Sequence, residues 1–345
     1  MPPVSPRTLS ASWYGNRAVH QRERLAVWAR EWLVFAPLAR LDRPGQYVAA
    51  EIAGWPIFVV VRPDGSLAGF HNVCAHRAGP ILWEGHGTCG NLVCRYHGWA
   101  YDWQGTLRSA RDFGDADGGV DAETHGLTPV RVEAWRNLVW INLDPAAPAL
   151  EPSLGTFDAQ CREFPMEQFG YTHQMVRTLA CNWKTYADNY LEGYHIPLLH
   201  PELNREIDVA RYQVLVYPED DYCLHTAPAR DGSANAGRWL FRFPNTALNV
   251  YRTGMNIERI FPDGPDRTLV VYDYFFADPD DPANADTLKV SEVTLDQDQA
   301  ICEAVQRNLD AGIYRTGPLS PKHEAAVGWF QDRLRHAVAA VEGEA

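Results

Sequence analysis

Residues 74–105, CAHRAGPILWEGHGTCGNLVCRYHGWAYDWQG, contain two loops that each pair one cysteine with one histidine. Cys74 and His76 lie two positions apart, 17 residues intervene, and Cys94 and His97 lie three apart. Strand-like sequence flanks both loops, so they can close over one metal centre from opposite sides. Thiolate and imidazole suit zinc or an iron–sulfur cluster. Zinc sites usually group their cysteines together, so the mixed pairing favours a [2Fe–2S] cluster with both cysteines on one iron and both histidines on the other.

The same stretch resembles the Rieske motif in the oxygenase component of Rieske non-heme iron oxygenases. Trp99 and Tyr101 match the aromatic residues that follow the second histidine in that family. The resemblance implies that all four candidate ligands hold one Rieske [2Fe–2S] cluster. Because the motif also occurs in pure electron carriers, the rest of the chain must distinguish a carrier from an oxygenase.

The composition bounds the size and the partners of the protein. The 345 residues are enough for about two domains. The net charge is −13 and the basic residues are not clustered, which argues against nucleic acid or an anionic membrane as a partner and favours small molecules or proteins. No signal-peptide pattern and no bilayer-length apolar window occur, so we expect a cytoplasmic protein. The seven cysteines do not suggest a disulfide framework.

The pattern of apolar residues divides the chain into three segments. Residues 1–38 are predicted to be an N-terminal helical segment that packs on the C-terminal domain. Its apolar residues at helical spacing are Leu25, Trp28 and Trp32. Residues 39–145 contain short strand-like runs between turn signals, which predicts an all-β domain. After the proline-rich boundary at 144–155, residues 146–345 mix strands and helices, which predicts an α+β domain with helices against an antiparallel sheet.

A second polar group lies in DNYLEGYHIPLLH, residues 188–200. We predict a helix over about residues 183–196. One face of that helix would be polar and would carry Asp188, Asn189, Glu192 and His195. A solvated helix face is the ordinary interpretation of such a pattern. Pro197 argues for a site instead, because it should end the helix near His195 and let His200 return from a turn toward the same point.

A carboxylate that could complete this site lies on a helix predicted to begin near residue 294. Asp298 is the single acid on an apolar stripe that also carries Ile301, Cys302, Val305 and Leu309. A carboxylate on such a stripe is costly unless it binds a cation, although stabilisation of the helix N-terminus is an alternative. Two histidines and one carboxylate form the facial triad that leaves open positions on Fe(II) for oxygen and substrate.

Both segments resemble the mononuclear-iron region of the same family, in NWKTYADNYLEGYHIPLLHP at 182–201 and QDQAICEAVQ at 297–306. The resemblance implies three iron ligands: His195, His200 and Asp298. It also implies that Glu192 links the iron to a cluster histidine of a neighbouring subunit. Many members have Asp at this bridge, and a subgroup that acts on quaternary amines has Glu. We expect Asp188 to orient a histidine by hydrogen bonding and Asn189 to lie near the iron.

The resemblance also sets expectations for fold, assembly and reaction. An all-β Rieske [2Fe–2S] domain would precede a helix-grip, START-like catalytic domain, and the subunits would form head-to-tail homotrimers. The protein would be a terminal oxygenase that uses O2 and electrons from NAD(P)H to hydroxylate or oxidatively demethylate a small molecule. A separate reductase, and possibly a ferredoxin, would deliver the electrons, because the chain has no dinucleotide-binding fingerprint. The alternative is a Rieske electron-transfer protein with a ligand-binding domain and no oxygen chemistry.

The substrate class is left open between quaternary ammonium and aromatic compounds. RFPNTALNVYRTGMN and RTLVVYDYFF resemble the choline monooxygenase-like branch, whose members act on quaternary ammonium compounds. The candidate pocket residues are Tyr190, Tyr194, Trp239, Phe241 and Tyr251, with Tyr212, Phe243 and Tyr272 as further rings. Such rings can form a cage for a cation, although alternating aromatics in strands are more often ordinary sheet core.

Overall fold

The structure is a computed structural model that describes residues 6–114, 119–122, 124–228 and 237–342. The chain divides into two compact units. The smaller unit is Ala29–Leu150, and the larger unit is Met1–Trp28 together with Glu151–Ala345. Within the described stretches, no helix is both long enough and apolar enough to cross a membrane.

The smaller unit is built from short antiparallel strands. Its strands are β1 (Leu33–Pro37), β2 (Gln46–Ile52), β3 (Trp55–Val61), β4 (Leu67–His71), β5 (Gly85–Thr88), β6 (Leu92–Val93), β7 (Ala100–Tyr101), β8 (Leu107–Ser109), β9 (Pro129–Trp135) and β10 (Leu138–Asn142). Seven of them form a sheet in the order β1-β10-β9-β4-β3-β2-β5, and β6-β7-β8 form a second sheet. The prediction of an all-β domain is confirmed.

A buried cluster lies beneath the two Cys–His loops of this unit. It contains Phe58, Phe70 and Trp99, each at most 2% exposed, together with both loop cysteines. Burying these rings stabilises the unit by roughly 2 kcal/mol each at the usual transfer coefficient. The loops therefore project from a packed base rather than from a mobile surface.

The N-terminal segment differs from the prediction of a helical segment over residues 1–38. The helix α1 spans Arg17–Glu23 and continues through a π-helical turn to Trp28, whereas β1 belongs to the sheet of the smaller unit. Leu25 is 58% exposed and does not join Trp28 in the core. The β1 sequence, LVFAP, is buried at every position, and a short apolar run of this kind cannot be assigned to helix or strand from periodicity alone.

The larger unit is an antiparallel sheet with helices packed on it. Its strands are β11 (Gly170–Leu179), β12 (Gln213–Tyr217), β13 (Tyr222–Thr226), β14 (Arg238–Arg242), β15 (Thr246–Val250), β16 (Gly254–Pro262) and β17 (Thr268–Phe276). They pair in the order β11-β17-β16-β15-β14-β13-β12. The helices are α2 (Leu150–Leu154), α3 (Phe157–Cys161), α4 (Trp183–Tyr190), α5 (Ile196–Leu199), α6 (Pro201–Glu206), α7 (Asn284–Asp310) and α8 (Ala325–Glu342). The predicted α+β class is confirmed, and α4 contacts both β16 and α7.

A buried ion pair joins α1 to α4. Lys184 Nζ lies 2.7 Å from Glu23 Oε1, and both side chains are fully buried. Glu23 also accepts a hydrogen bond of 3.0 Å from Trp183 Nε1, and the ammonium lies 5.5 Å from the centroid of the Tyr14 ring. Because each charge has a partner, neither is left uncompensated in the core.

We expect Lys184→Met to lower the stability of the larger unit by about 3–5 kcal/mol, because the Glu23 carboxylate would remain buried without a cation. Calorimetry should show a fall of roughly 10 °C in the transition of that unit. The control is Glu23→Gln/Lys184→Met, which removes both charges and keeps an acceptor for Trp183. Recovery of most of the lost stability is expected, and a double variant as unstable as the single one would refute the charge argument.

Candidate metal centres and substrate cavity

The two Cys–His loops have the same backbone geometry. In the first loop, the Cys74 N–H donates to the Gly79 carbonyl at 2.9 Å, and the Ala78 N–H donates to the Cys74 carbonyl at 3.0 Å. Cys94 makes the same pair of bonds with the residues five and four positions later, at 2.8 and 3.0 Å. The residue four positions after each cysteine has a positive φ, 55° at Ala78 and 76° in the second loop. The shared turn explains how loops of different spacing present their ligands alike.

The four predicted cluster ligands converge in the structure. Cys74 and Cys94 are each 3% exposed, and the rings of His76 and His97 lie 4.7 Å apart between centroids. His76 stacks on Trp99 at 4.7 Å. The Nδ1 atom of His76 is buried without a hydrogen-bond partner among the described residues. A buried nitrogen of this kind needs a partner, so the arrangement fits ligation of a cluster through that atom.

Two further residues shape the space between the cysteines. The Tyr101 hydroxyl lies 3.0 Å from Cys74 Sγ, within hydrogen-bonding distance, and hydrogen bonds to cluster sulfurs tune their potential. A Cβ atom at Gly79 would lie 3.0 Å from Cys94 Sγ and 2.8 Å from Tyr96 Cβ, so only glycine lets the two loops approach. The donor set and its packing both suit a [2Fe–2S] cluster.

The predicted helix over residues 183–196 ends early. α4 stops at Tyr190, and Glu192 lies in a turn where its carboxylate accepts the backbone N–H groups of Tyr194 and His195. Side-chain acceptors of this kind compete with helix continuation. A Cβ at Gly193 would lie 2.4 Å from the Tyr212 ring, so glycine is required there. The predicted single polar helix face is therefore wrong, since its second half is a turn.

His195, His200 and Asp298 nevertheless meet as predicted. One ligand atom from each lies within 4.8 Å of the others. Asp298 Oδ1 is 3.0 Å from His200 Nε2 and 3.9 Å from His195 Nε2. The Nδ1 atom of each ring is hydrogen-bonded to a side-chain oxygen. The partner of His195 Nδ1 is the Glu192 carboxylate at 2.6 Å, and the partner of His200 Nδ1 is the Gln297 amide oxygen at 2.7 Å. Both Nε2 atoms thus face one point beside the carboxylate, which fits a 2-His-1-carboxylate iron site.

Asp298 lies on a buried helix face that matches the predicted stripe only in part. The buried face of α7 carries Leu295, Asp298, Cys302 and Gln306. Ile301 and Val305, which we placed on the same core-facing stripe, are each 40% exposed. The Asn189 Nδ2 donates to Asp298 Oδ1 at 2.8 Å, so Asn189 does lie beside the predicted ligands. Polar partners, rather than an apolar stripe, keep the carboxylate inside.

The electrostatics of the three groups favour a cation. Burial alone would lower the pKa of His200, but the hydrogen bond and negative charge of Asp298 outweigh it and raise the pKa. A field that stabilises positive charge on a 2% exposed imidazole also attracts a metal cation.

Asp188 does not orient a histidine in the structure. Its carboxylate accepts a hydrogen bond of 2.6 Å from the Tyr14 hydroxyl and two of 3.0 Å from Gln331 Nε2. Burial raises its pKa to about 6. The expectation fails because Asp188 lies on α4, whereas the orienting role at His195 is taken by Glu192 from the following turn.

A cavity of about 570 Å³ in the larger unit has the three predicted iron ligands in its wall. Of the predicted pocket residues, Tyr190, Trp239 and Tyr251 line it, as does Tyr212. Trp239 and Tyr251 stand edge to face at 6.1 Å, and the Trp239 Nε1–H donates to the Tyr251 hydroxyl at 2.7 Å. The hydrogen bond fixes two aromatic walls at a right angle.

Four predicted ring residues do not line the cavity. Tyr194 is 59% exposed and stacks on His323. Phe241 and Phe243 are buried against Phe330 of α8. Tyr272 is buried and bonds to the Tyr186 hydroxyl rather than lining the cavity. Residues of α4 and α8, which periodicity does not reveal, contact the three buried rings.

Sequence reasoning also missed a polar network in the cavity wall. Glu258 Oε2 accepts from the Tyr186 hydroxyl at 3.1 Å, and Glu258 Oε1 accepts from Asn249 Nδ2 at 3.0 Å. Asn249 Oδ1 in turn accepts from the Tyr190 hydroxyl at 2.6 Å. All four residues line the cavity. The signal available in the sequence was the charged pair Glu258 and Arg259 between the apolar residues Ile257 and Ile260 of a buried strand.

Two Cys–His loops on an all-β unit and a 2-His-1-carboxylate group on an α+β unit define the class of Rieske non-heme iron oxygenases. Residues 31–117 match the family of the Rieske [2Fe-2S] domain, and residues 166–222 and 225–340 match the ring hydroxylating alpha subunit (catalytic domain). The chain belongs to the family of ring-hydroxylating oxygenase alpha subunits, with a Rieske domain ahead of the catalytic domain.

Similar proteins of known activity cover almost the whole chain. The chloroplastic choline monooxygenase of Spinacia oleracea is 30% identical over 97% of this chain and 80% of its own length. The carnitine monooxygenase oxygenase subunit of Escherichia coli K12 is 29% identical over 91% of this chain and 87% of its own. The crystal structure of the quaternary ammonium Rieske monooxygenase CntA with L-carnitine superposes with a TM-score of 0.87, 26% identity and 97% coverage of both chains.

These findings confirm the main functional prediction. The protein is a terminal oxygenase component with a Rieske [2Fe–2S] cluster and a mononuclear iron, and it depends on a separate reductase. The alternative of an electron carrier without oxygen chemistry is not supported, because the catalytic-domain family and the named relatives are oxygenases.

Proposed function

We propose that the protein is a monooxygenase that hydroxylates or oxidatively demethylates a quaternary ammonium compound. The observation that carries this proposal is the aromatic corner of Trp239 and Tyr251, with Tyr190, in the cavity that holds the iron-ligand candidates. Ring faces attract a cation that has no N–H to donate, and the attraction grows when the site is desolvated. The names of the relatives, choline monooxygenase and carnitine monooxygenase, support the same substrate class.

We propose ligand roles for the residues that the sequence motifs and the geometry bring together. The cluster ligands would be Cys74, His76, Cys94 and His97, and the iron ligands would be His195, His200 and Asp298. When bound, the iron and the cluster supply oxygen activation and single electrons. The chain's own residues then orient the ligands, hold the substrate beside them and exclude water from the cavity.

We also propose a head-to-tail homotrimer in which Glu192 contacts a cluster histidine of the neighbouring subunit. Glu192 is 13% exposed at its side chain and already bonds His195 Nδ1, so one carboxylate could join two histidines. A quaternary ammonium Rieske monooxygenase of known structure, with a TM-score of 0.88 to this chain, is described as showing inter-subunit electron transfer.

Substrate-dependent oxygen consumption with a surrogate reductase tests the proposed function. The panel should contain choline, carnitine, glycine betaine and benzoate, and products should be identified by mass spectrometry so that uncoupled oxygen use is recognised. We expect a quaternary ammonium compound to give an oxygenated or demethylated product. Product formation from benzoate alone would overturn the proposal in favour of an aromatic substrate.

A further inference from the structure

Glu258 is a carboxylate in the cavity wall without a cationic partner. It lies on β16, lines the cavity and is 6% exposed as a residue. Its two oxygens accept hydrogen bonds from neutral groups, the Tyr186 hydroxyl and the Asn249 amide. Within the described part of the chain it forms no ion pair. Burial raises its pKa to about 7, and the negative charge of Asp298 adds to the rise, which shows how poorly the charge is compensated.

A quaternary ammonium group is complementary to this carboxylate. A primary ammonium needs acceptors for its three N–H groups, whereas a quaternary one has no N–H and needs only charge and contact surface. The two oxygens of Glu258 are already held in place by neutral donors, so the carboxylate supplies charge without having to rearrange. The aromatic rings of Tyr190, Trp239 and Tyr251 supply the contact surface of the same cavity.

The other charges of the cavity have the same sign. The acids Glu192, Glu206 and Asp286 also line it, and no Lys or Arg does so within the described residues. A carboxylate on the substrate would therefore find no Lys or Arg among them, whereas a cation away from the iron site meets several acids. The charge pattern favours a quaternary ammonium alcohol over a zwitterion that carries its own carboxylate.

We propose that Glu258 is the counter-charge for the substrate ammonium group and sets the preference of the site for a cation without a carboxylate. This inference rests on the proposed function. In the bound complex the ammonium lies against the aromatic corner and within the field of Glu258, and the carboxylate is ionised. The residue is thus a specificity determinant, separate from the ligands of the iron.

The test compares choline with 3,3-dimethylbutan-1-ol, a neutral compound of the same shape, by calorimetric binding to the holoenzyme. The wild-type protein should bind choline about 100-fold more tightly than the alcohol. Glu258→Gln, which keeps the shape and an acceptor for Asn249, should lose about that factor for choline and leave binding of the alcohol unchanged. Carnitine should bind the wild-type protein more weakly than choline.

Two further variants keep the test decisive. Glu258→Asp retains the charge and should retain the preference for choline, even if Glu258→Gln does not fold. Glu202→Gln removes an acid of α6 that is not in the cavity wall and should change the preference by less than about threefold, because its exposed carboxylate pairs with Arg205 at 3.4 Å and is screened by solvent. Equal choline affinity in the wild type and Glu258→Gln, or loss of the preference in Glu258→Asp, would overturn the inference.

Failure of this inference is distinguishable from failure of the proposed function. If the wild-type protein oxygenates choline while Glu258→Gln still prefers choline to the neutral alcohol, the role of Glu258 is refuted and the function stands. If no quaternary ammonium compound binds or is oxygenated by the wild-type protein, both are refuted.

Discussion

The Asp298→Ala variant is expected to lose the mononuclear iron and keep the [2Fe–2S] cluster. Iron content should fall from about three to about two atoms per chain, while acid-labile sulfide and the Rieske-type EPR signal are unchanged. Asp298 supplies the one carboxylate that lies 3.0 Å from His200 Nε2 and 3.9 Å from His195 Nε2. Alanine would leave only two neutral imidazoles. These are too few ligands to hold Fe(II), and they supply no negative charge.

Asp296→Ala is the matched control for this variant. Asp296 lies on the same helix two residues earlier, and its exposed carboxylate pairs with Arg177 at 3.1 Å. We expect its iron content and product formation to equal those of the wild type, whereas Asp298→Ala should form no product above background. Circular dichroism should show both variants folded. An Asp298→Ala protein that retains about three irons per chain would show that the carboxylate is not a ligand.

The ligands of the cluster loops could be predicted from the sequence because the ligands of each loop are close together along the chain. Cys74 and His76, like Cys94 and His97, lie within one turn of each other, so a few backbone hydrogen bonds fix each pair. The spacing of such residues constrains their geometry almost by itself. The stacking of His76 on Trp99 joins the first loop to the second, so it depends on how the two loops meet.

The buried position of Asp298 was predicted for a reason that proved only partly right. Helical periodicity predicts that the most apolar face of a helix is buried. It placed Asp298 on one face with Ile301 and Val305, and both of these residues are exposed in the structure. The buried face contains Cys302, as predicted, and also Gln306, whose side-chain oxygen accepts the Asn182 N–H at 2.9 Å. A buried face built on polar contacts to another element has no apolar signature, so only the tertiary partner reveals it.

The cavity lining depends on which helix covers each part of the sheet. Trp239 and Phe241 are two residues apart on β14 and point to the same side in an ideal strand. Trp239 lines the cavity, but Phe241 packs on Phe330 of α8. Strand alternation predicts that the two side chains share one side of the sheet, but it does not predict which element packs against each of them. The same limit hid Glu258, whose partners Tyr186 and Asn249 come from α4 and β15.

We expect Glu192→Ala to slow electron transfer from the reduced cluster to the iron by at least about 100-fold. Glu192 bonds His195 Nδ1 at 2.6 Å, and its second oxygen accepts the backbone N–H groups of Tyr194 and His195. The oxygen that faces His195 Nδ1 keeps a further lone-pair site, so the carboxylate could also accept from a cluster histidine of the neighbouring subunit. Alanine would remove both the orientation of His195 and that connection.

The control separates these two effects. Gln297 holds His200 Nδ1 at 2.7 Å, as Glu192 holds His195, but we assign it no contact with a neighbouring cluster. Gln297→Ala and Glu192→Ala should both bind iron about 10- to 100-fold more weakly, so each is reconstituted with Fe(II) before assay. Single-turnover oxidation of the reduced cluster, followed by its absorbance, should be near normal in Gln297→Ala and slow in Glu192→Ala. Equal rates in the two iron-loaded variants would show that Glu192 only orients His195 and takes no part in electron transfer between subunits.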